Sequence, residues 1–366
     1  MKTLMLRFVF ACIAAFASFG TATAAAMWTI EDLGTLAPID INNHGDILGN
    51  YSAGRPFVRH NGVFTNLNPV SGNTQARAFA INDARQVAGD SQGTAVVWNG
   101  VNPTAIGNGL ALAINNKGVV TGQVYDPIFF GEQAFFVYKD GVLTVPRNTP
   151  CSRSCQATGI EINDGGKVVT RHPGVAGSTY GYLYDIATGE FTTEDSVWYG
   201  EGLYGDIVKA IDEKGTMIGQ RTITVVHNEN DPNILARKPY NYSTNQVLDL
   251  PDPGEDRFAE GAALDINENG QIVGLEFLPN FSEGALLWNA DGTFVELSDL
   301  TEVQAAGWTQ LNTAVGINDR GIIIGTGRIN GETHGYVLTP VPEPSTYAFM
   351  LFGLASAAFA IKKRRG

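Results

Sequence analysis

Three acidic residues, Asp40, Glu161 and Asp265, each stand immediately before an isoleucine that opens the same nine-residue pattern, where the other copies carry alanine or glycine. Carboxylates gathered by a repeated backbone unit can bind sugar hydroxyls or a hard cation such as Ca2+, which prefers oxygen ligands. Two of them, one protonated and one ionised, can also cleave a glycosidic bond. If the positions face a central channel, the three acids meet there; the plainer alternative is that they only line a hydrated passage. Ca2+ is the one cofactor this pattern raises.

Other reactive residue types carry less. The five histidines, His44, His60, His172, His227 and His334, have no paired metal-ligand spacing and read as surface or turn residues. No Gly-x-Ser-x-Gly elbow, His-Glu-x-x-His pair or Gly-rich phosphate loop occurs. No residue is therefore assigned a catalytic role, and the chain reads as non-enzymatic. Cys151 and Cys155, in Cys-Ser-Arg-Ser-Cys, most simply form a short local disulfide outside the cytoplasm; zinc would need further ligands, and none is adjacent. The polar stretch 226–233 lacks the alternation and central glycine of an EF-hand-type loop and reads as a solvated insert. Trp198, Tyr199, Tyr204 and Trp308 suit either stacking on sugar rings or packing between repeats.

The elements that would position the acids follow from the pattern itself. Ile-Asn/Asp-x-x-Gly-x-Φ-Φ-Gly, with Φ mostly aliphatic, starts at Ile41, Ile81, Ile114, Ile162, Ile211, Ile266 and Ile317, at spacings of 40, 33, 48, 49, 55 and 51 residues. Before each isoleucine, small residues alternate with larger apolar ones, as in Ala78-Phe79-Ala80-Ile81, which predicts a half-buried inner strand. Asn or Asp bonding the backbone two residues on, followed by Gly, predicts a tight hairpin, and Arg85 in place of Gly predicts a looser turn in the second copy. A returning strand follows, then an aromatic-rich strand such as Ala95-Val96-Val97-Trp98, then turns such as Asn61-Gly62 and Asp140-Gly141 that favour two-residue hairpins. Four strands per unit predict an all-β, seven-bladed propeller of four-stranded antiparallel blades spanning 27–340. The seventh unit lacks its own fourth strand, and Trp28-Thr29-Ile30-Glu31-Asp32-Leu33 is predicted to supply it and close the ring. An open β-solenoid is the alternative, but it would leave that strand unused.

The two ends read as addresses. Lys2 and Arg7, an apolar run from Phe8 to Phe16 and Ala22-Thr23-Ala24 form a secretory signal over 1–26, cut after Ala24 or Ala26 by signal peptidase. At the other end, 341–366, Pro342-Glu343-Pro344 precedes an apolar segment, 347–361, and a basic stop, Lys362, Lys363, Arg364 and Arg365. Fifteen helical residues rise only about 22 Å, short for a span of about 30 Å, which suits temporary retention. Removing both ends takes six of the 24 basic residues and one of the 37 acids, leaving 18 and 36, a formal charge of −18. Such a surface repels nucleic acid and anionic lipid.

The tail resembles the PEP-CTERM sorting tail of Gram-negative bacteria, on Pro342-Glu343-Pro344, the hydrophobic segment and the basic stop. That resemblance implies export, retention in the inner membrane and processing by an exosortase, a membrane cysteine peptidase, in species that make extracellular polysaccharide. An ordinary single-pass anchor is the alternative. The repeats are similar to bacterial extracellular HAF repeats at His334-Gly335-Tyr336 and, more weakly, at Gln133-Ala134-Phe135 and Arg55-Pro56-Phe57. That family implies architecture and no activity. The expectation is an exported surface or matrix protein binding exopolysaccharide or another envelope component, with a carboxylate-using hydrolase or lyase and a purely structural matrix protein as alternatives.

Overall fold

In each copy of the motif the residues up to the isoleucine form an inner strand, the Asn/Asp-x-x-Gly segment reverses the chain, and the following aliphatic residues return antiparallel. In the first copy Ala37–Ile41 pairs with Ile47–Tyr51, and Gly45 N–H donates to Asn42 O at 3.0 Å to close the turn. The second copy makes the same turn: Arg85 N–H donates to Asn82 O at 2.9 Å, with Arg85 held at φ 60°. The loosening expected of Arg85 does not occur. Its guanidinium stands 3.9 Å from the buried carboxylate of Asp46 in the preceding copy, which gives the side chain a purpose glycine lacks.

The computed structural model describes residues 27–51, 54–126, 132–148, 157–173, 179–192, 207–225, 234–252, 259–278 and 282–341. They form an all-β propeller, but not the seven-bladed one that the repeat count predicts. Five blades are separate four-stranded sheets, built on motif copies 1, 4, 5, 6 and 7, and copies 2 and 3 are merged in a single seven-stranded sheet. The cause is local. Their isoleucines, Ile81 and Ile114, are only 33 residues apart, too few for an outer strand, a connection and a new inner strand. One strand, Pro103–Ile114, serves as both. It pairs with Thr94–Asn99 up to Asn108 and with Val120–Asp126 from Gly109 onward. Gly109 makes the change of partner possible: a Cβ there would lie 2.1 Å from Gln123 O.

The strand Met27–Asp32 lies beside Glu332–Val341, in the order that puts Trp308–Ile317 at the inner side of the same sheet. Beyond that strand Leu33 N–H donates to Gly335 O, and Gly335 N–H returns to Gly34 O, both at 2.9 Å. His334 Nδ1 bonds both Asp32 carboxylate oxygens, at 2.8 and 3.0 Å. Residues 30–339 form one compact unit.

The core lies between successive sheets rather than inside them. Leu48 and Val58 of unit 1 pack with Ile81, Val87 and Trp98 of unit 2, and Ile218 of unit 5 packs with Ile266, Leu286 and Trp288 of unit 6. Each such side chain contributes about 1.5–3 kcal/mol by leaving water. The second motif glycine exists for close approach: at Gly325 a Cβ would lie 1.9 Å from Thr313 O on the paired inner strand. Unit 4 solves that contact in reverse, with Thr170 in the glycine position and Gly159 directly opposite it. Thr170 Oγ1 donates to Tyr182 O at 3.0 Å, so the hydroxyl is satisfied.

Among the described residues no helix is long and apolar enough to cross a membrane. The signal segment 1–26 with Ala24 and Ala26, the pair Cys151 and Cys155, and the tail with Pro342, Glu343, Pro344, segment 347–361 and Lys362, Lys363, Arg364 and Arg365 lie outside the described residues.

Candidate functional site

A feature common to all seven inner strands decides which side chains reach the axis. In each, the residue two before the motif isoleucine is skipped by the ladder, a β-bulge: Ile39, Phe79, Leu112, Ile160, Lys209, Leu264 and Val315. A bulge turns a side chain out of strict alternation. Consequently residues at both −2 and −1 line one cavity of about 420 Å³ walled by all seven inner strands, among them Phe79, Leu112, Lys209 and Leu264 from the first position and Asp40, Glu161 and Asp265 from the second.

The three acids that share this cavity are held differently. Asp40 Oδ1 accepts the N–H of its own Ile41 and Oδ2 accepts that of Ile81 in the next unit, both at 2.7 Å. Asp265 repeats this with Ile266 at 2.8 Å and Ile317 at 2.7 Å. Each of these carboxylates clips neighbouring inner strands together. Among the described residues Glu161 accepts only the Ile162 N–H, at 3.1 Å, and its second oxygen has no partner and is not sealed from the cavity. Each acid is only partly exposed, and the exposed part faces the cavity. Loss of hydration therefore raises Asp40 to about 6, Asp265 to about 7 and Glu161 to about 8, against the backbone N–H bonds that favour the charged form. The charges of Asp40 and Asp265 add to the rise at Glu161, and those of Asp40 and Asp319 to the rise at Asp265.

Two hydrogen-bonded rings close the turn end of the cavity. In the inner ring Asn42 Nδ2 donates to Asn82 O, Asn82 to Asn115, Asn115 to Asn163, and Asn163 to Asp212, then Asn267 to Asn318 and Asn318 back to Asn42, at 2.9–3.0 Å. The same amides accept from the backbone N–H four residues on, and Asn42, Asn115, Asn267 and Asn318 also from the one two residues on, as Asn42 Oδ1 does from Asp46 and His44. An amide both donates and accepts, whereas an ionised carboxylate only accepts. Asp212 has no donor, and the relay breaks between units 5 and 6. In the outer ring the next residue of each turn, Asn43, Asp83, Asn116, Asp164, Glu213, Glu268 or Asp319, accepts the N–H of its counterpart in the preceding unit, at 2.6–2.9 Å. Its five carboxylates are thus engaged by the backbone.

Lys209 is the one charged residue among the seven bulge positions. Burial pulls its ammonium down, and the nearby positive charge of Arg171 adds to this. Arg171 sits on the second strand of unit 4, opposite Thr158 at the start of the inner strand.

The remaining expected residues are scattered. His60 Nδ1 contacts the buried Asp46 carboxylate and Nε2 lies 3.0 Å from Asn61 Nδ2. His172 is not a surface residue: it is buried against Tyr182 and Phe191, and burial lowers it to about 4. Trp308 is buried and meets Tyr336 edge-on at 6.0 Å, which removes it from the sugar-stacking candidates. Among the described residues no group of three or more His, Cys, Asp or Glu is arranged to hold a metal ion. Trp198, Tyr199, Tyr204, His227 and the 226–233 insert lie outside the described residues.

The family model for the PEP-CTERM protein-sorting motif matches residues 340–365. The tail therefore carries that sorting motif, which implies a protein exported, associated with a membrane and then released by an exosortase. The match covers the tail alone, and the HAF-type likeness of the repeats is not part of it. No curated protein matches the chain. Among solved structures, the oligogalacturonate lyase in complex with manganese is similar with a TM-score of 0.51 at 12% identity, over 86% of this chain and 91% of that one. The Dos1 propeller gives 0.49 at 9% identity, over 85% and 95%. Virginiamycin B lyase from Staphylococcus aureus gives 0.43 at 9% identity, over 86% and 100%. At these identities the likeness concerns the fold alone.

Proposed function

We propose that the chain is held at the periplasmic face of the inner membrane by its tail, freed by exosortase cleavage near Pro342-Glu343-Pro344, and then serves at the cell surface or in the extracellular matrix as a non-enzymatic binding protein for exopolysaccharide or another envelope component. The sorting motif at 340–365 carries the address. The binding reading draws on an axial cavity of about 420 Å³ whose lining combines apolar bulge residues with carboxyls. All nine acids around it, the five in the outer ring with Asp40, Glu161, Asp212 and Asp265, accept at least one backbone N–H. The repeats, on this reading, are a drifted HAF-type array.

A glycan-cleaving enzyme is the second reading, favoured by one observation: Glu161 at about 8 and Asp40 at about 6 lie in one cavity, a protonated and an ionised carboxyl at neutral pH. Incubation of the protein with the polysaccharide of its own host separates the two. Retention without new reducing ends supports binding. Reducing ends that vanish in Glu161→Gln would replace it with catalysis. For the address, alanines at Pro342, Glu343 and Pro344 are expected to leave an uncleaved, membrane-held form, and unaltered release would sink the sorting step.

A further inference from the structure

Residues 27–340 carry a formal charge of −18, so cations left without a carboxylate partner stand out against the surface. Lys209 and Arg171 are such cations. Among the described residues neither makes a salt bridge or side-chain hydrogen bond, and Arg171 bears on Lys209 as a like charge. Two uncompensated cations held together cost free energy unless an anion comes between them.

Their placement is specific. Lys209 occupies the bulge position that aims a side chain into the axial cavity, and the six equivalent positions are apolar. Charge at that point is not needed to build the bulge, because the other units form it without charge. On the same lining, in the neighbouring unit 4, Glu161 keeps one carboxyl oxygen unbonded and open to the cavity, whereas Asp40 and Asp265 spend both of theirs on the fold. Units 4 and 5 thus place the Lys209 ammonium, with the charge of Arg171 near it, and a free carboxyl oxygen of Glu161 on one lining.

We propose that this side of the cavity binds a carboxylate-bearing sugar of the uronic-acid type, its carboxylate on the Lys209 ammonium, which the charge of Arg171 reinforces, and one of its hydroxyls on the free oxygen of Glu161. The assignment rests on the glycan-binding reading above and names the ligand class for it. Neutral sugars offer hydroxyls to Glu161 but nothing to the cations. A protonated Glu161, as burial favours at neutral pH, adds no negative charge against the incoming carboxylate and can donate a hydrogen bond. The five ring acids, each already accepting a backbone N–H, face the opposite, turn end.

Titration calorimetry of the full chain tests this with three probes: a β-1,4-linked glucuronic acid trimer, cellotriose of the same linkage, and sodium acetate. The acidic trimer is expected to bind at least about tenfold more tightly than cellotriose, the worth of one charge-assisted pair. Lys209→Gln with Arg171→Gln is expected to erase that preference, and Lys209→Arg to keep it. Both residues keep solvent-exposed surface, and an unchanged thermal melt establishes that the double variant is folded. Equal affinity for the two trimers, or a preference that survives the double substitution, overturns the inference while leaving glycan binding in place. Binding of neither trimer overturns both readings. Acetate binding as tightly as the acidic trimer overturns the sugar assignment, leaving a bare carboxylate pocket.

Discussion

In units 1, 2, 3, 6 and 7 the inner turn carries asparagine, its amide donates to the next unit, and the second motif glycine is present; units 4 and 5 each break one of these rules, unit 4 at the glycine and unit 5 at the asparagine. Unit 4 has Thr170 for the glycine, a buried His172 and a singly bonded Glu161; unit 5 has Asp212 for the asparagine and Lys209 for an apolar bulge residue. Repeat proteins draw stability from nearest-neighbour contacts, so a departure weakens one interface rather than the whole. Departures gathered on one side indicate where the array gives up regularity for another purpose. The other five units show what regularity is worth.

The largest effect is expected at the regular side. Asn318 is buried, donates to Asn42 O at 3.0 Å and accepts from Arg320 and Ile322 at 3.1 and 3.0 Å. Asn318→Ala orphans these groups where water cannot reach them all, and should cost about 3 kcal/mol in chemical denaturation, at 1–3 kcal/mol for each group left unmet. A loss under about 1 kcal/mol, less than one orphaned group costs, would show that the ring is incidental to stability.

The next contrast sets Glu161 against Asp265. Both carboxyls are raised, so in the folded protein they hold protons that the unfolded chain releases earlier. Stability from this source is complete below about pH 4, falls as pH rises, and is gone above about 7 for Asp265 and about 8 for Glu161. Glu161→Gln removes the penalty and keeps an oxygen for the single Ile162 N–H, so the variant should equal the parent at pH 4 and exceed it at pH 9. Asp265→Asn also removes a charge, but its one amide oxygen cannot do the work of two, and the gain at pH 9 should be smaller or reversed. Melting temperatures across pH 4–9 decide this, and parallel curves for Glu161→Gln and the parent would exclude burial of its charge as a cost.

How much of this was legible depends on which strand a residue belongs to. The hairpin at every motif copy follows from Asn-x-x-Gly, and the meeting of Asp40, Glu161 and Asp265 follows from their shared place beside the isoleucine. Aligning the copies also isolates Lys209, since Ile39, Phe79, Leu112, Ile160, Leu264 and Val315 fill its place elsewhere; the bulge that aims it inward is not visible in alternation alone. Arg171 gives no signal, because it lies on a second strand and meets Lys209 only through the packing of two units. The merged sheet had a trace in the 33-residue spacing, yet a count of motifs treats every copy as a whole blade. The asparagine relay was half legible: acceptance from the local backbone follows from residue type, but donation to the next unit requires the ring.

Asp212→Asn sharpens the comparison from the other direction. Asp212 Oδ1 accepts the Thr216 N–H at 2.6 Å, a bond the amide oxygen can keep. The new Nδ2 would face Asn267 O and complete the inner ring. One added hydrogen bond stabilises by about 1 kcal/mol, so a rise in the denaturation midpoint is expected, and a fall would mean that the charge of Asp212 is itself required.

Arg85→Gly is expected to change least, because three terms oppose one another. Glycine relieves the left-handed backbone of Arg85, at φ 60°, by about 1 kcal/mol. It gives back a similar amount, about 0.5–1 kcal/mol, through the greater freedom of the unfolded chain. The ion pair to Asp46 is long, at 3.9 Å, and the arginine side chain is 54% exposed, so its loss costs well under about 1 kcal/mol. The net shift should lie within about 0.5 kcal/mol of zero, as for surface substitutions in general. A loss well beyond that would identify the Asp46–Arg85 contact as a true brace between units 1 and 2, and the regular side would then owe its stability to a charge pair as well as to the asparagine ring.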